Sequence, residues 1–247
     1  MMKKILPKFF LVVLAAVPLV LSAQMSDLIF SEYGEGTDNN KYLELYNGTG
    51  ADLDLSNYVL WKIINEGDWY ERAYHLEGIL PHGHTFTIVN YKADSLLAIR
   101  RDTVGPVIDV GGSDFTFMVA NGNEAFAIAK ILAPGDTAII DVIGEESGDV
   151  VPGNWQVAGV ADAGAEHTWV RKKTVSGPNA NWASSAGTNA EDSEWIVYPA
   201  NYWKNVGWHG EINSAPASDL FISEICEGTD NNLSLIHISE PTRLRRI

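Results

Sequence analysis

One cysteine, Cys226, stands among 247 residues. A single thiol excludes an intrachain disulfide, so the fold must hold itself together by its core. Bases are scarce: 17 Lys and Arg stand against 32 Asp and Glu. Six of those bases (Lys3, Lys4, Lys8, Arg243, Arg245 and Arg246) and one acid, Glu240, lie at the two ends. That leaves 11 bases and 31 acids over residues 24–232, a net charge of −20. Such a surface repels nucleic-acid phosphates and anionic membranes, and so argues against direct nucleic-acid binding. It suits a soluble extracellular protein and offers oxygen ligands to divalent cations. The signatures of common hydrolases are missing: there is no G-x-S-x-G, no H-E-x-x-H and no P-loop.

Long apolar runs are also lacking, with one exception. "FFLVVLAAVPLVL" (9–21) follows the basic residues Lys3, Lys4 and Lys8 and precedes the small residue Ala23. The run is shorter than the roughly 20 residues of a membrane span. Residues 1–23 read as a signal peptide cleaved before Gln24. No cysteine follows at the cleavage position, which argues against a lipid anchor. The chain is expected to be exported, to the medium or the cell surface, with no membrane span after cleavage.

What the sequence has is short strands and turns. "DLIFSEY" (27–33), "KYLELYN" (41–47), "YVLWKII" (58–64) and "AYHLEGI" (73–79) read as strands. "HTFTIVN" (84–90), "AFAIAKI" (125–131), "TAIIDVIG" (137–144) and "HTWVRK" (167–172) follow. Gly, Asn, Asp and Pro clusters separate them. Many short strands at turn-punctuated spacing predict an all-β sandwich or barrel. Only "ADSLLAIRR" (93–101) reads as helix. From about Gly144 the chain is loop-rich, with scattered Trp, and is expected to wrap the strands as a C-terminal extension.

The chain repeats itself. "DLFISEICEGTDNN" (219–232) matches "DLIFSEYGEGTDNN" (27–40) at 10 of 14 positions. "NSAPAS" (213–218) before it has linker composition. Residues 24–212 are thus expected to form one domain, 213–218 a linker, and 219–232 the truncated start of a second tandem domain. After Asn232 the likeness stops. "LSLIHISEPTR" (233–243) resembles the in-frame translation of a transposase adapter used in preparing sequencing libraries. Residues 233–247 are therefore expected to be adapter-derived, and the natural protein to continue past Asn232.

"EGTDNN" occurs in both copies. Glu35, Asp38, Asn39 and Asn40 could ligate a hard cation such as Ca²⁺. The competing reading is a strand connection, with Gly36 allowing positive φ and Asp38 and Asn39 capping the turn; that reading is preferred. Glu32 and Glu44 are expected on strands that pair across this loop, with Glu44 facing solvent or a shared polar spot. Ordinary strand-surface acids are the preferred reading, and a metal site the alternative. His82 and His84, two apart, would face one side of an extended stretch and could start a zinc site. A turn or sheet edge is the simpler reading. Eight Trp raise the possibility of glycan stacking, with Trp69 in "EGDWYER" as the expected exposed ring; burial at the sandwich ends is the preferred role for the others.

The strand series carries a resemblance. Ser31-Glu32-Tyr33, the Gly/Asn loop 34–40, "KYLELYN" and "DLSNY" (54–58) resemble the bacterial lamin tail domain family. So do "LPHGHTFTIVN", "NGNEAFAIAK", "IDVIG" (140–144) and the later "HTWVRKKTVSGPNANW" and "SEWIVYPANYWKNVGWH". The likeness spans about residues 27–210. It departs from the family in Pro-His-Gly-His, where a Pro-Gly turn is usual, and in the 93–101 insertion. The resemblance implies an immunoglobulin-like β-sandwich with no catalytic residues to carry over. The role expected for the chain is a non-catalytic binding, adhesion or spacer module of a larger secreted or surface protein, with an extracellular protein or a glycan as its partner. Members commonly sit beside secreted nuclease or phosphoesterase domains, so an accessory role to a missing catalytic domain is the alternative. A carbohydrate-binding module is the third reading.

Overall fold

The computed structural model describes residues 24–110, 113–148, 153–209, 221–227 and 233–239. The expected signal peptide (1–23) and linker (213–218) lie outside the described residues. The chain divides into two compact units, residues 1–209 and 210–247.

In the first unit, β1 (Ile29–Glu35), β2 (Lys41–Tyr46), β7 (Thr85–Val89), β8 (Thr103–Val104), β13 (His167–Arg171) and β14 (Trp195–Pro199) form a six-stranded sheet. Its order is β14-β13-β1-β2-β7-β8. β4 (Tyr58–Ile63), β5 (Arg72–His75), β11 (Ala125–Ala133) and β12 (Asp136–Ile143) form a second sheet, ordered β12-β11-β4-β5. β3 (Leu53–Asp54) pairs with β6 (Ile79–Leu80), and β9 (Val107–Val110) with β10 (Ser113–Thr116). Every pairing is antiparallel except β7 with β8. Both large sheets feed one buried cluster: Phe30, Tyr33, Leu43 and Leu45 from one, and Tyr58, Leu60, Phe126 and Ile128 from the other. The chain forms an all-β sandwich, one of the two architectures the strand pattern allowed, in the immunoglobulin-like class that the resemblance implied.

Three expectations need correction. The single strand predicted over 73–79 is two, β5 and β6, because Gly78 turns the chain with φ 95°. The loop-rich region after Gly144 holds more than the expected strand at 167–172: β14 closes one edge of the large sheet, and α2 (Trp182–Ala186) starts on an Asn181 cap. The helix over 93–101 shrinks to one turn, α1 (Ser95–Ala98), which Asp94 caps by accepting from Leu96 N at 2.8 Å.

A bulge explains why "DLIFSEY" does not alternate strictly. The pairing of β1 with β2 slips between Phe30 and Glu32. Phe30 and Tyr33, three apart, therefore both reach the core. In the second unit, β15 (Phe221–Glu227) pairs with β16 (Leu233–Ser239), and the pairing slips between Ile222 and Glu224. Ile222 and Glu224 occupy the places of Phe30 and Glu32 in the repeat, but their partner β16 falls on the residues read above as adapter-derived.

Tryptophans fill one end of the sandwich. Trp169 on β13 packs on Tyr33 (4.3 Å between centroids), Trp182 (5.8 Å) and Trp195 (5.9 Å). Trp155 meets Trp182 at 6.0 Å. Three of their indole N–H groups find acceptors: Trp155 donates to Glu124 O, Trp169 to Ala163 O and Trp195 to Ser185 Oγ. Each buried indole removes a large apolar area from water, which is how a fold without a disulfide pins its long loops.

Gly34 on β1 packs directly under the ring of Tyr42, where an added Cβ would sit 2.0 Å from Cε1. Tyr42 is fully buried. Gly34→Ala is therefore expected to destabilise the domain by about 1–3 kcal/mol, as overpacked cores do. Urea unfolding followed by tryptophan fluorescence reads this as a lower midpoint. An unchanged midpoint would mean that Tyr42 has room to move.

Candidate functional site

The recurring "EGTDNN" is the β1–β2 connection. Gly36 N donates to Asn40 O, Asn40 N to Thr37 O and Lys41 N to Asn39 O. Asp38 sits in the left-handed region at φ 55°. Distant segments converge on this turn. Asn201 accepts from Thr37 N at 3.2 Å and donates to Thr37 Oγ1 at 2.8 Å. Asn40 Oδ1 accepts from Asp94 N at 2.8 Å, which ties the turn to α1. Glu35 is buried, ion-paired with Lys41, and also accepts from Glu166 N. Of the four proposed calcium ligands, Glu35 is thus committed to a base, Asn40 to α1, and Asp38 and Asn39 are exposed. Among the described residues, no group of three or more His, Cys, Asp or Glu is placed to hold a metal ion. This geometry is that of a strand connection.

His82 and His84 lie in a turn rather than an extended stretch: His84 N donates to Pro81 O, and Gly83 has φ 78°. His82 Nδ1 accepts from Gly50 N at 2.9 Å.

Glu32 and Glu44 overturn the surface reading. They are directly paired across β1 and β2, and both are fully buried. The reason is the covering of the large sheet's second face. Tyr42, Val89, Leu97 and Val206 form a small second core there, between β2, β7, α1 and the segment 201–209. Glu44 accepts from Ser31 Oγ (2.8 Å), Thr87 Oγ1 (3.1 Å) and Gly207 N (2.5 Å). Burial pushes its carboxyl up to about 7, against the pull of those donors. Burial, then the neighbouring Glu44, raise the Glu32 carboxyl well above its usual range. Glu32 Oε2 accepts from Tyr42 OH at 2.7 Å, while Oε1 has no partner. His209 lies in the covering segment, its ring tilted against that of Tyr46 with centroids 4.7 Å apart. Burial, helped by Arg171 and Lys173, lowers its imidazole to about 4, so it is neutral at physiological pH.

A second buried charge group spans the sandwich. Asp141 on β12 and Arg171 on β13 come from different sheets, and their side chains are fully buried. Asp141 accepts from Arg171 at 3.2–3.3 Å, from Phe30 N at 2.8 Å and from Asn179 N at 2.9 Å. Arg171 also pairs with Glu194 at 2.5 Å and lies 4.7 Å from the Trp195 ring centroid. Lys62 is buried as well, donating to Phe117 O and Val119 O; burial lowers its ammonium to about 8.

These charges stitch strands and loops together. The architecture and motif order match one family: the lamin tail domain family model covers residues 22–193. The chain belongs to the lamin tail domain family. No curated protein and no solved structure matches it. The family match stops just before Glu194. This lamin tail domain therefore takes one partner of Arg171, the strand β14 and the cover over Glu32 and Glu44 from residues beyond the match.

Trp69 is not the exposed ring that its sequence context suggested. It is half-buried and packs against the main core, whereas Trp208 is 40% exposed. Five of the eight tryptophans (Trp61, Trp155, Trp169, Trp182 and Trp195) are buried, as a plugging role requires. Trp69 nevertheless lines a cleft of about 390 Å³ beside Trp182, Glu145 and Glu146. Nothing in the sequence marks out Glu145 and Glu146, because acids are everywhere in this chain. No helix among the described residues is long and apolar enough to cross a membrane.

Proposed function

We propose that this lamin tail domain is a non-catalytic extracellular module that binds a partner, or spaces one, within a larger secreted or surface protein. The observation that carries this reading is how the buried charges are used. Arg171 joins the two sheets through Asp141, Lys62 is held by backbone carbonyls, and Glu35 is held by Lys41. Those charges stiffen a scaffold rather than converge on a reacting atom. A rigid core that presents loops at its ends, followed by the start of a second copy, sets distance and valency between partners.

The export half of the proposal is tested by expressing the whole chain in a bacterial host and sequencing the N-terminus of the released product. A start at Gln24 is expected. Retention of residues 1–23 on a cytoplasmic product would overturn it. The array half is tested by sequencing the native gene through the codon for Asn232. A reading frame that continues with a strand like "KYLELYN" supports tandem domains. A gene that encodes "LSLIHISEPTRLRRI" and then stops would remove both the adapter reading and the array.

A further inference from the structure

The loop 65–70 is drawn against the turn 144–148. Gly67 N donates to Gly148 O at 2.7 Å, Ser147 Oγ to Asn65 O at 3.2 Å, and Trp69 N to Glu146 Oε1 at 3.0 Å. Holding this path places Asn65 (φ 62°) and Tyr70 (φ 83°) in the left-handed region. Such conformations are disfavoured for residues with a side chain and persist only where the surroundings impose them. The Tyr70 ring rests 4.2 Å from that of Trp61, although Tyr70 is 69% exposed. The product of this arrangement is a half-buried indole fixed along one wall of an open cleft. Ile139, Val142 and Trp182 supply its apolar lining, and Glu145 and Glu146 its charge. Among the described residues, no Lys, Arg or His lines it. Both carboxylates lie on the open side, within reach of solvent.

We propose that this cleft binds a cationic side chain, an arginine, presented by a basic segment of a partner protein. The occupant follows from chemistry. An aromatic face attracts a cation laid over it, and two carboxylates with no base beside them attract it further. A planar guanidinium does both at once: it stacks on the indole and presents a fork of N–H donors to a carboxylate. An ammonium can do only part of this. The net charge of −20 over residues 24–232 draws such a segment in from solution. The cleft volume lies at the lower end of the roughly 300–1,000 Å³ typical of small-molecule sites, room for one side chain and its flanking backbone. A neutral sugar would use the ring but not the charge. This inference names the ligand of the binding role proposed above and rests on it.

The test uses the full chain with ¹⁵N-labelled indoles. Its Trp69 N–H signal is assigned by loss in Trp69→Phe, then followed while the blocked peptide acetyl-Gly-Arg-Gly-amide is added. The expected result is a saturable shift of the Trp69 signal with none at Trp208, weaker binding of the lysine analogue, and weakening as salt rises. Glu145→Gln together with Glu146→Gln is expected to weaken binding at least fivefold. The amide that replaces the carboxylate in Glu146→Gln keeps an oxygen for Trp69 N, so an unmoved Trp69 signal in the free variant shows that the loop is intact. Three results would each overturn the proposal: no saturable shift, equal affinity in the double variant, or a shift with chitotriose and none with the arginine peptide. A folded, exported chain with a silent cleft removes this inference alone. Failure of export removes the extracellular role.

Discussion

Replacing Arg171 by alanine is expected to cost about 3–5 kcal/mol, a large share of a typical domain's stability. Asp141 would then be a carboxylate fully buried without its counter-ion. Burial already pushes its carboxyl up, and Arg171 with the Asn179 and Phe30 amides opposes that push. Trp195 would also lose the guanidinium that lies against its ring. Asp141→Ala is expected to be comparably severe, since it leaves Arg171 without its buried partner and the Phe30 and Asn179 amides without their acceptor. Urea unfolding of both single variants and of Arg171→Met/Asp141→Leu separates two causes. If unpaired charge dominates, the apolar double variant recovers much of the loss, because well-packed apolar residues can replace a buried ion pair at little cost. If both singles lose less than about 1 kcal/mol, the pair does not hold the sheets together.

The second large effect is a pH dependence centred on Glu44. Its carboxyl titrates near 7 in the folded chain, above its ordinary 4.5. Between those values the unfolded chain gives up the proton while the folded chain keeps it. The stability that Glu44 contributes is therefore fully present below about pH 4.5, falls as pH rises, and is lost above about 7. The gap amounts to a loss on the order of 3 kcal/mol. Glu44→Gln is expected to remove that loss. Its amide oxygen can accept from Gly207 N and Thr87, and its amide nitrogen can donate to Ser31. The variant should melt higher than the parent at pH 8 and near it at pH 4.5. A difference in melting temperature between Glu44→Gln and the parent that is the same at pH 4.5 and pH 8 would refute the buried titration. His209 acts in the opposite sense. With its imidazole lowered to about 4 from an ordinary 6.5, it costs stability as pH falls through that window. Between about pH 4.5 and 6.5 the two slopes oppose and nearly cancel, so the parent is most stable across that plateau and the Glu44 titration is read from the difference between variant and parent. Because Gly207 and His209 belong to the covering segment, its packing should report the same titration.

The main strands were legible because their apolar residues and turn signals are local. β2 shows this best: Leu43 and Leu45 alternate with Tyr42, Glu44 and Tyr46, and the strand runs as expected. The short strands β3, β8 and β14 carried no such pattern, because they exist through the strand they pair with. The turn reading of "EGTDNN" was open to sequence reasoning, since Gly36, Asp38 and Asn40 act within a few residues. Its ties to Asn201 and Asp94 were not, because they join residues far apart in the chain. Trp69 was picked out by residue type and by the charged residues beside it in the chain. Its half-burial depends on a loop 77 residues away, through Glu146.

By itself, the sequence determined the class of fold, the family, the excess of negative charge and the lack of a disulfide. Each depends on composition or on patterns a few residues long, which survive without knowledge of any partner strand. The tertiary structure decided which acids are buried. Glu44 alternates with leucines just as a solvent-facing acid would, in a strand whose second face is ordinarily free to be wet. Only the return of residues 201–209 over that face removes water from it and turns a surface carboxylate into one that holds its proton to neutral pH.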